Sequence, residues 1–188
     1  AKNVNILGSN KKEQFEINHI SNNRTEITIR KISKKGSLKQ TTYHRVFDAR
    51  HTNEIRVYGF DGDDQFKLMG NEKAKIKIRI IAGNGQEVVV DSIEKKGKRT
   101  IIYDIKGQID FVSSKNIKTK FSKNTNIHKY NREAYKYNTT FPLIYAGYTP
   151  DDGVLIGGGF IRTTYGFRKD PYATRQQFIG GVSFLTGA

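Results

Sequence analysis

Apolar and polar residues alternate in several short stretches of this chain: Glu26-Ile27-Thr28-Ile29-Arg30-Lys31-Ile32, Ile55-Arg56-Val57-Tyr58 and Lys75-Ile76-Lys77-Ile78-Arg79-Ile80. A period of two sends successive side chains to opposite faces of a pleated strand, here β-branched residues to one face and long cations to the other. No window carries the i, i+3, i+4 spacing of an amphipathic helix. Between the runs lie Lys34-Lys35-Gly36-Ser37, Asp61-Gly62-Asp63, Asn84-Gly85 and Lys95-Lys96-Gly97-Lys98. Each supplies a Gly or Asn that tolerates the backbone of a tight turn. The pattern predicts an all-β chain. Residues 113–140, rich in Ser, Asn, Lys and Thr, hold no steady period and are expected to form an extended connector.

Three segments share one chemical order: Gly8-Ser9-Asn10-Lys11-Lys12-Glu13-Gln14-Phe15, Gly59-Phe60-Asp61-Gly62-Asp63-Asp64-Gln65-Phe66 and Ala82-Gly83-Asn84-Gly85-Gln86-Glu87-Val88-Val89. Each places a small residue first, an acid sixth and an apolar residue eighth, as a turn re-entering a strand requires. A repeated turn–strand domain, solenoid-like or sandwich-like, follows. The middle copy resembles the calcium-binding nonapeptide of repeats-in-toxin proteins, with Phe60 in place of the second glycine. Asp61, Asp63 and Asp64 are therefore candidate ligands for a single weak calcium site, completed by backbone carbonyls. Calcium takes six to eight oxygens, which in such proteins come from stacked turns. The copies here start at Gly8, Gly59 and Ala82, at unequal intervals far longer than a nonapeptide. Their turns are not expected to stack in the usual roll, and a plain hairpin corner is the commoner role for Asp-Gly.

The last quarter of the chain differs in composition. Residues 142–188 hold four basic and three acidic residues, a balance of +1, which leaves +14 of the total +15 on residues 1–141. Nine of the 18 glycines and all three prolines lie in or beyond Phe141-Pro142, and a domain boundary is expected there. Leu143 to Tyr148, Val154 to Ile161 and the charge-free Gln176 to Ala188 read as strands separated by Thr149-Pro150-Asp151-Asp152-Gly153 and Arg168-Lys169-Asp170-Pro171-Tyr172. Strands that cross a membrane run to about 9–11 residues with aromatic girdles and one lipid-facing side, which these segments match. The chain opens on Ala1 without a charged or apolar leader and stops within a strand pattern, so further sequence is expected on both sides.

Tyr148-Thr149-Pro150-Asp151-Asp152-Gly153-Val154-Leu155-Ile156-Gly157-Gly158-Gly159, then Gly166-Phe167-Arg168-Lys169-Asp170-Pro171-Tyr172-Ala173, then the strand ending Thr186-Gly187-Ala188, resembles the first strands of BamA/TamA-like surface-antigen barrels of Bacteroidetes-type outer-membrane proteins. Thr52-Asn53-Glu54-Ile55-Arg56-Val57-Tyr58-Gly59, Gly62-Asp63-Asp64, Ile78-Arg79-Ile80-Ile81-Ala82-Gly83-Asn84-Gly85, Tyr103-Asp104 and Tyr130-Asn131-Arg132 are similar to the β-rich domain and connector that precede such barrels. The resemblance implies a Gram-negative outer-membrane location, a periplasmic β-domain over residues 1–141, and the opening strands of a barrel over residues 142–188. It also implies that longer members carry a calcineurin-like metallophosphoesterase domain upstream. The chain lacks that enzyme and recognisable polypeptide-transport repeats, which argues against insertase activity.

No catalytic set emerges from the residues. The absence of Cys excludes disulfides, thiol nucleophiles and thiolate zinc sites. His19, His44, His51 and His128 stand singly, without the spacing that pairs metal ligands, and are expected to be exposed or to cap strands. Asp63/Asp64 and Asp151/Asp152 are strand or turn neighbours that point apart rather than converge on a substrate. Ser9, Ser92 and Ser183 have no nucleophile-elbow context. The chain is expected to be a non-catalytic, structural or anchoring part of an outer-membrane protein, without a cofactor unless calcium binds. Its charge suits outer-membrane lipid or lipopolysaccharide, at about 1 kcal/mol per cation near an anionic surface, and other envelope proteins are further candidate partners. Lys118-Thr119-Lys120-Phe121-Ser122-Lys123 and His128-Lys129-Tyr130-Asn131-Arg132 meet only loosely the cation and aromatic pattern of nucleic-acid binding. The alternative is a soluble β binding module for calcium, glycan or nucleic acid.

Overall fold

The computed structural model describes residues 1–95, 99–113 and 116–184; the turn expected at Lys95-Lys96-Gly97-Lys98 lies mostly outside these residues, as do Leu185 to Ala188. The chain is mostly strand and divides into two compact units, Ala1–Tyr130 and Asn131–Ala188. Among the described residues the helical content is one short 3₁₀ turn, Thr125–His128.

In the first unit the chain passes back and forth between two sheets. Strands β1 (Asn3–Leu7), β5 (Glu54–Tyr58), β7 (Lys77–Ile81), β9 (Thr100–Ile105) and β11 (Ile117–Ser122) form one sheet, in which every neighbour pair is parallel. The second sheet has the order β10 (Ile109–Phe111), β8 (Glu87–Asp91), β6 (Gln65–Met69), β2 (Glu13–Ser21), β3 (Arg24–Ile32), β4 (Leu38–Asp48). Its first four strands pair in parallel, and β2, β3 and β4 form an antiparallel meander on its flank.

The register fixes the repeat. Glu54 pairs with Lys77 and Ile78 with Thr100, nearly equal steps along the chain, whereas Asn3 pairs with Glu54 across an interval more than twice as long. The β3–β4 hairpin takes up the excess by leaving the stack along one sheet edge. The turns that begin at Gly8, Gly59 and Ala82 therefore do stack, contrary to the expectation from their unequal spacing: Gly8 N donates to Tyr58 O at 2.8 Å and Gly59 N to Ile81 O at 2.9 Å. Gly62 is required at this stack, because it has φ +125° and a Cβ there would lie 2.9 Å from the Lys11 carbonyl carbon.

The period-two pattern then aligns like with like in neighbouring passes. Ile6, Val57, Ile80 and Ile102 form one inward row of the first sheet, and Phe15, Phe66, Val89 and Phe111 one row of the second, all buried except the half-buried Phe111. Phe15 and Phe66 stack with centroids 4.8 Å apart, the strand spacing itself. On the outer face Glu54 holds Arg56 at 2.7 Å and Arg79 at 2.9 Å, which satisfies a nearly buried carboxylate. Residues 117–122, expected as part of a connector, are instead β11. At a sheet edge Lys118, Thr119 and Lys120 all face solvent, so no alternation marks the strand.

The second unit is an antiparallel meander of β12 (Thr139–Thr149), β13 (Gly153–Thr164) and β14 (Thr174–Phe184). The compositional change at Phe141-Pro142 falls inside β12. Asp152 N donates to Thr149 Oγ1 at 3.1 Å in the first turn, with Gly153 at φ +71°.

Candidate functional site

The sixth-position acids of the repeated turns point inward at one corner of the first unit. Glu13, Asp64 and Glu87 are buried in successive passes. Glu13 turns its carboxylate onto Ser9 N, 2.7 Å away, and Asp64 Oδ1 accepts from Glu13 N at 2.8 Å, so each acid is seated against the turn beside it. The fourth pass changes the pattern: Ile109 occupies the sixth position, and the acid, Asp104, stands first, opposite Ala82. Asp104 is also fully buried. Its side chain continues the acidic row from the other side of the turn.

This row is under electrostatic stress. Burial pushes the Asp64 carboxyl up to about 9, with the charges of Glu13, Glu87 and Asp63 adding to the shift. Burial likewise pushes Glu87 up to about 8, helped by the Asp104 carboxylate next to it. Both groups hold protons at neutral pH. Asp64 Oδ2, Gln108 Oε1 and Ser9 Oγ are buried here without hydrogen-bond partners, while the protonated Glu87 carboxyl faces the Asp104 carboxylate.

His128, from the 3₁₀ turn, closes the row. Its Nε2 lies 3.1 Å from Asp104 Oδ1 and its Nδ1 3.1 Å from Asn84 Oδ1, while Asn84 Nδ2 donates to Asp61 Oδ1 at 3.0 Å. Since the Asn84 amide is oriented by Asp61, both ring nitrogens of His128 face oxygen atoms. A line of contacts thus joins exposed Asp61 to buried Asp104.

The three candidate calcium ligands separate. Asp61 and Asp63 are exposed and bind the next pass, Asp61 through Asn84 and Asp63 Oδ1 through Gln86 N at 3.0 Å, whereas Asp64 turns into the core. Adjacent strand positions face opposite ways. Among the described residues no three His, Asp or Glu side chains form a group that could hold a metal ion. Of the four histidines expected to be exposed or to cap strands, His19 and His128 are buried. His19 Nδ1 lies 3.1 Å from Thr25 Oγ1, and burial lowers its pKa to about 4 against the pull of Asp91. Glu13, Glu87, Asp104 and His128 were not candidate site residues from sequence; the recurrence of an acid two places before the core-entering apolar residue was the available signal.

The second unit presents a different surface. Residues that pair across one face of the sheet are apolar in every row from Pro142/Phe160/Phe178 to Tyr148/Val154/Phe184, with Ile144, Gly158 and Gly180, and Ala146, Ile156 and Val182, between. Thr140, Arg162 and Gln176 form the next row beyond Phe160. The apolar side chains are exposed, Ile144 by 89% and Tyr148 by 65%. On the other face the Tyr145 ring lies over glycines: a Cβ at Gly157 would enter the ring, and one at Gly181 would come within 2.6 Å of the hydroxyl.

A third feature lies where the β3–β4 hairpin departs from the stacked turns of the first unit. Lys11, Lys12, Lys31, Ile32, Lys39 and Gln40 line an open cleft of about 380 Å³. Set against protein-family models, curated proteins and solved structures, the chain matches none of them.

Proposed function

We propose that this chain is a non-catalytic, anchoring part of an outer-membrane β-barrel protein. In this reading residues 1–130 form a basic β-solenoid on the periplasmic side, and β12–β14 are the opening strands of the barrel. One observation carries it: a sheet face that is apolar and exposed through every row between two aromatic rows and gives way to Thr140, Arg162 and Gln176. From Val154 to Phe160 is six positions, about 20 Å along a strand and about 15 Å of height at the tilt of barrel strands, so these rows cover more than half of the roughly 25 Å apolar band of an outer-membrane barrel. In water such a face costs free energy in proportion to its area; against hydrocarbon it does not. Glycines roofed by Tyr145 suit the inner face, where a curved sheet brings backbones together. Closure requires further strands pairing with β12 and β14, since an open edge is not tolerated in a bilayer.

Lipid or lipopolysaccharide at the membrane surface is the proposed partner of the basic unit, with envelope proteins as further partners. Flotation with phosphatidylcholine vesicles tests the anchoring role. The full chain is expected to float with the vesicles at high salt, while residues 1–130 alone stay at the bottom. A full chain that stays below with the vesicles absent from its fraction contradicts the proposal. The lysine-lined cleft favours a second reading, a soluble β binding module, in which the apolar sheet is covered by another protein surface.

A further inference from the structure

We propose that the cleft lined by Lys11, Lys12, Lys31 and Lys39 is a binding site for a ligand that carries two or more phosphate groups close together. The argument begins with the insertion. Insertions into a stacked repeat fall on one side of the stack and frequently build its binding face, and here the β3–β4 hairpin departs from an otherwise nearly constant register. From Arg30 to Gln40 the hairpin carries five cations, Arg30, Lys31, Lys34, Lys35 and Lys39, and no acid. The turn before β2 adds Lys11 and Lys12.

The acids of β2 and of the turn stacked on Lys11–Lys12 are engaged elsewhere. Glu13 accepts from Ser9 N, Glu16 pairs with Arg30 at 2.9 Å, Asp61 holds Asn84 and Asp63 holds Gln86 N. None of the four cleft lysines forms an ion pair with a carboxylate among the described residues. Four ammonium groups around one cavity repel one another, and a ligand anion relieves that repulsion.

The backbone that carries them is fixed. Ile32 N donates to Lys12 O at 2.9 Å, Lys31 stands opposite Glu13 in the strand register and Ile32 opposite Leu38, and Gly62 packs on the Lys11–Lys12 peptide. The cations therefore belong to one preorganised surface rather than to a loose loop. Charge and size set the ligand class. A phosphate monoester carries about −1.5 to −2 at neutral pH, so two of them match four lysines, which a single carboxylate or sulfate ester does not. About 380 Å³ lies within the range of small-ligand pockets and leaves room for a linker between the phosphates. No aromatic side chain lines the cleft, so it offers no stacking platform for bases, and a nucleic acid is the poorer fit. The inference stands on the first unit alone and does not rest on the barrel reading.

Calorimetric titration of the full chain with tripolyphosphate at about 0.15 M salt, where the Debye length is about 8 Å, is the test. Saturable binding is expected, weakened at least about tenfold in the Lys11→Gln/Lys12→Gln/Lys31→Gln/Lys39→Gln variant. A charge-matched control, Lys73→Gln/Lys106→Gln/Lys118→Gln/Lys123→Gln, is expected to stay within about twofold of the parent, because distant exposed charges are screened. Equal weakening in the two variants overturns the site, as does the absence of saturable binding. The gain in binding to phosphatidylcholine vesicles when phosphatidic acid is added identifies the source: a gain competed by tripolyphosphate and lost in the cleft variant assigns a lipid headgroup, and tripolyphosphate binding without that gain assigns a soluble phosphorylated ligand. Cleft-dependent binding of a single-stranded oligonucleotide that tripolyphosphate does not compete overturns the proposed ligand class.

Discussion

The two units use the same alternating strands to opposite ends. In the first, each apolar row meets a row from the facing sheet, and Phe15, Ile17, Phe66, Ile78 and Ile80 lose all contact with solvent. In the second, rows of equal apolar character end at the surface, and every residue of β14 is exposed. What separates the units is the partner each sheet has. A fold built of two facing sheets hides its apolar rows within itself; a lone meander has no second layer and must find hydrocarbon or another protein to cover it.

The sharpest way to break this contrast is to truncate one large apolar side chain in each unit. Phe66→Ala takes a stacked ring from the core and is expected to destabilise the first unit by about 3–5 kcal/mol in chemical denaturation. Ile144→Ala, at an 89% exposed position, is expected to leave the same transition unchanged. A comparable loss from Ile144→Ala would show that its face is packed in solution. Charge placed on the apolar face comes next in size: Ile156→Lys is expected to weaken vesicle partitioning by about 2–4 kcal/mol, and Leu155→Lys, on the face shared with Tyr145, by far less.

The buried acids sharpen the contrast from the other unit, since only a closed core makes protonated carboxyls. Asp64 and Glu87 titrate near 9 and 8 in the fold, well above their ordinary carboxylate values. The folded chain therefore binds more protons than the unfolded chain from about pH 4 upward, and stability is expected to fall as pH rises toward 9. Each group contributes a slope of at most about 1.4 kcal/mol per pH unit. His19, held near 4, works the other way: its contribution is complete above pH 6.5 and is lost as pH falls through 4, which offsets part of the slope on the acid side. Asp64→Asn and Glu87→Gln are each expected to flatten the fall in melting temperature between pH 6 and pH 9. An unchanged pH profile in both variants would mean that the two groups are ionised in the fold. The smallest effect is expected at the outer end of the same network, where Asp61→Ala removes one exposed hydrogen bond to Asn84, worth about 0.5–1.5 kcal/mol.

The sequence made the strands of the first unit readable wherever one face is buried. Of the apolar members of the three alternating runs, Ile27, Ile29, Ile55, Val57, Tyr58, Ile76, Ile78 and Ile80 are buried, and Ile32, at the end of β3, is half-buried. The repeated order of small, acid and apolar residues was equally visible. That its turns stack was hidden, because the β3–β4 hairpin leaves the repeat and returns without a change in composition to mark its departure. The direction of the sixth-position acid was hidden for a different reason: Asp61, Asp63 and Asp64 look alike in sequence, and only the pleat decides that Asp64 turns inward. His128 offered no signal, since its burial depends on Asp104 and Asn84, 24 and 44 positions away. The lysine cleft was legible as charge and not as a place, because it joins a turn of the repeat to a hairpin that lies outside the repeat.

Single cysteines carrying an environment-sensitive fluorophore test the account most directly, and the chain has no native Cys to interfere. Placed at 154, 155, 156, 158 and 161 along β13 in vesicle-bound protein, the labels are expected to divide by face, with blue-shifted, quencher-protected emission at 154, 156 and 158 and water-like emission at 155 and 161. Uniform water-like emission at all five positions would contradict the claim that this face meets hydrocarbon.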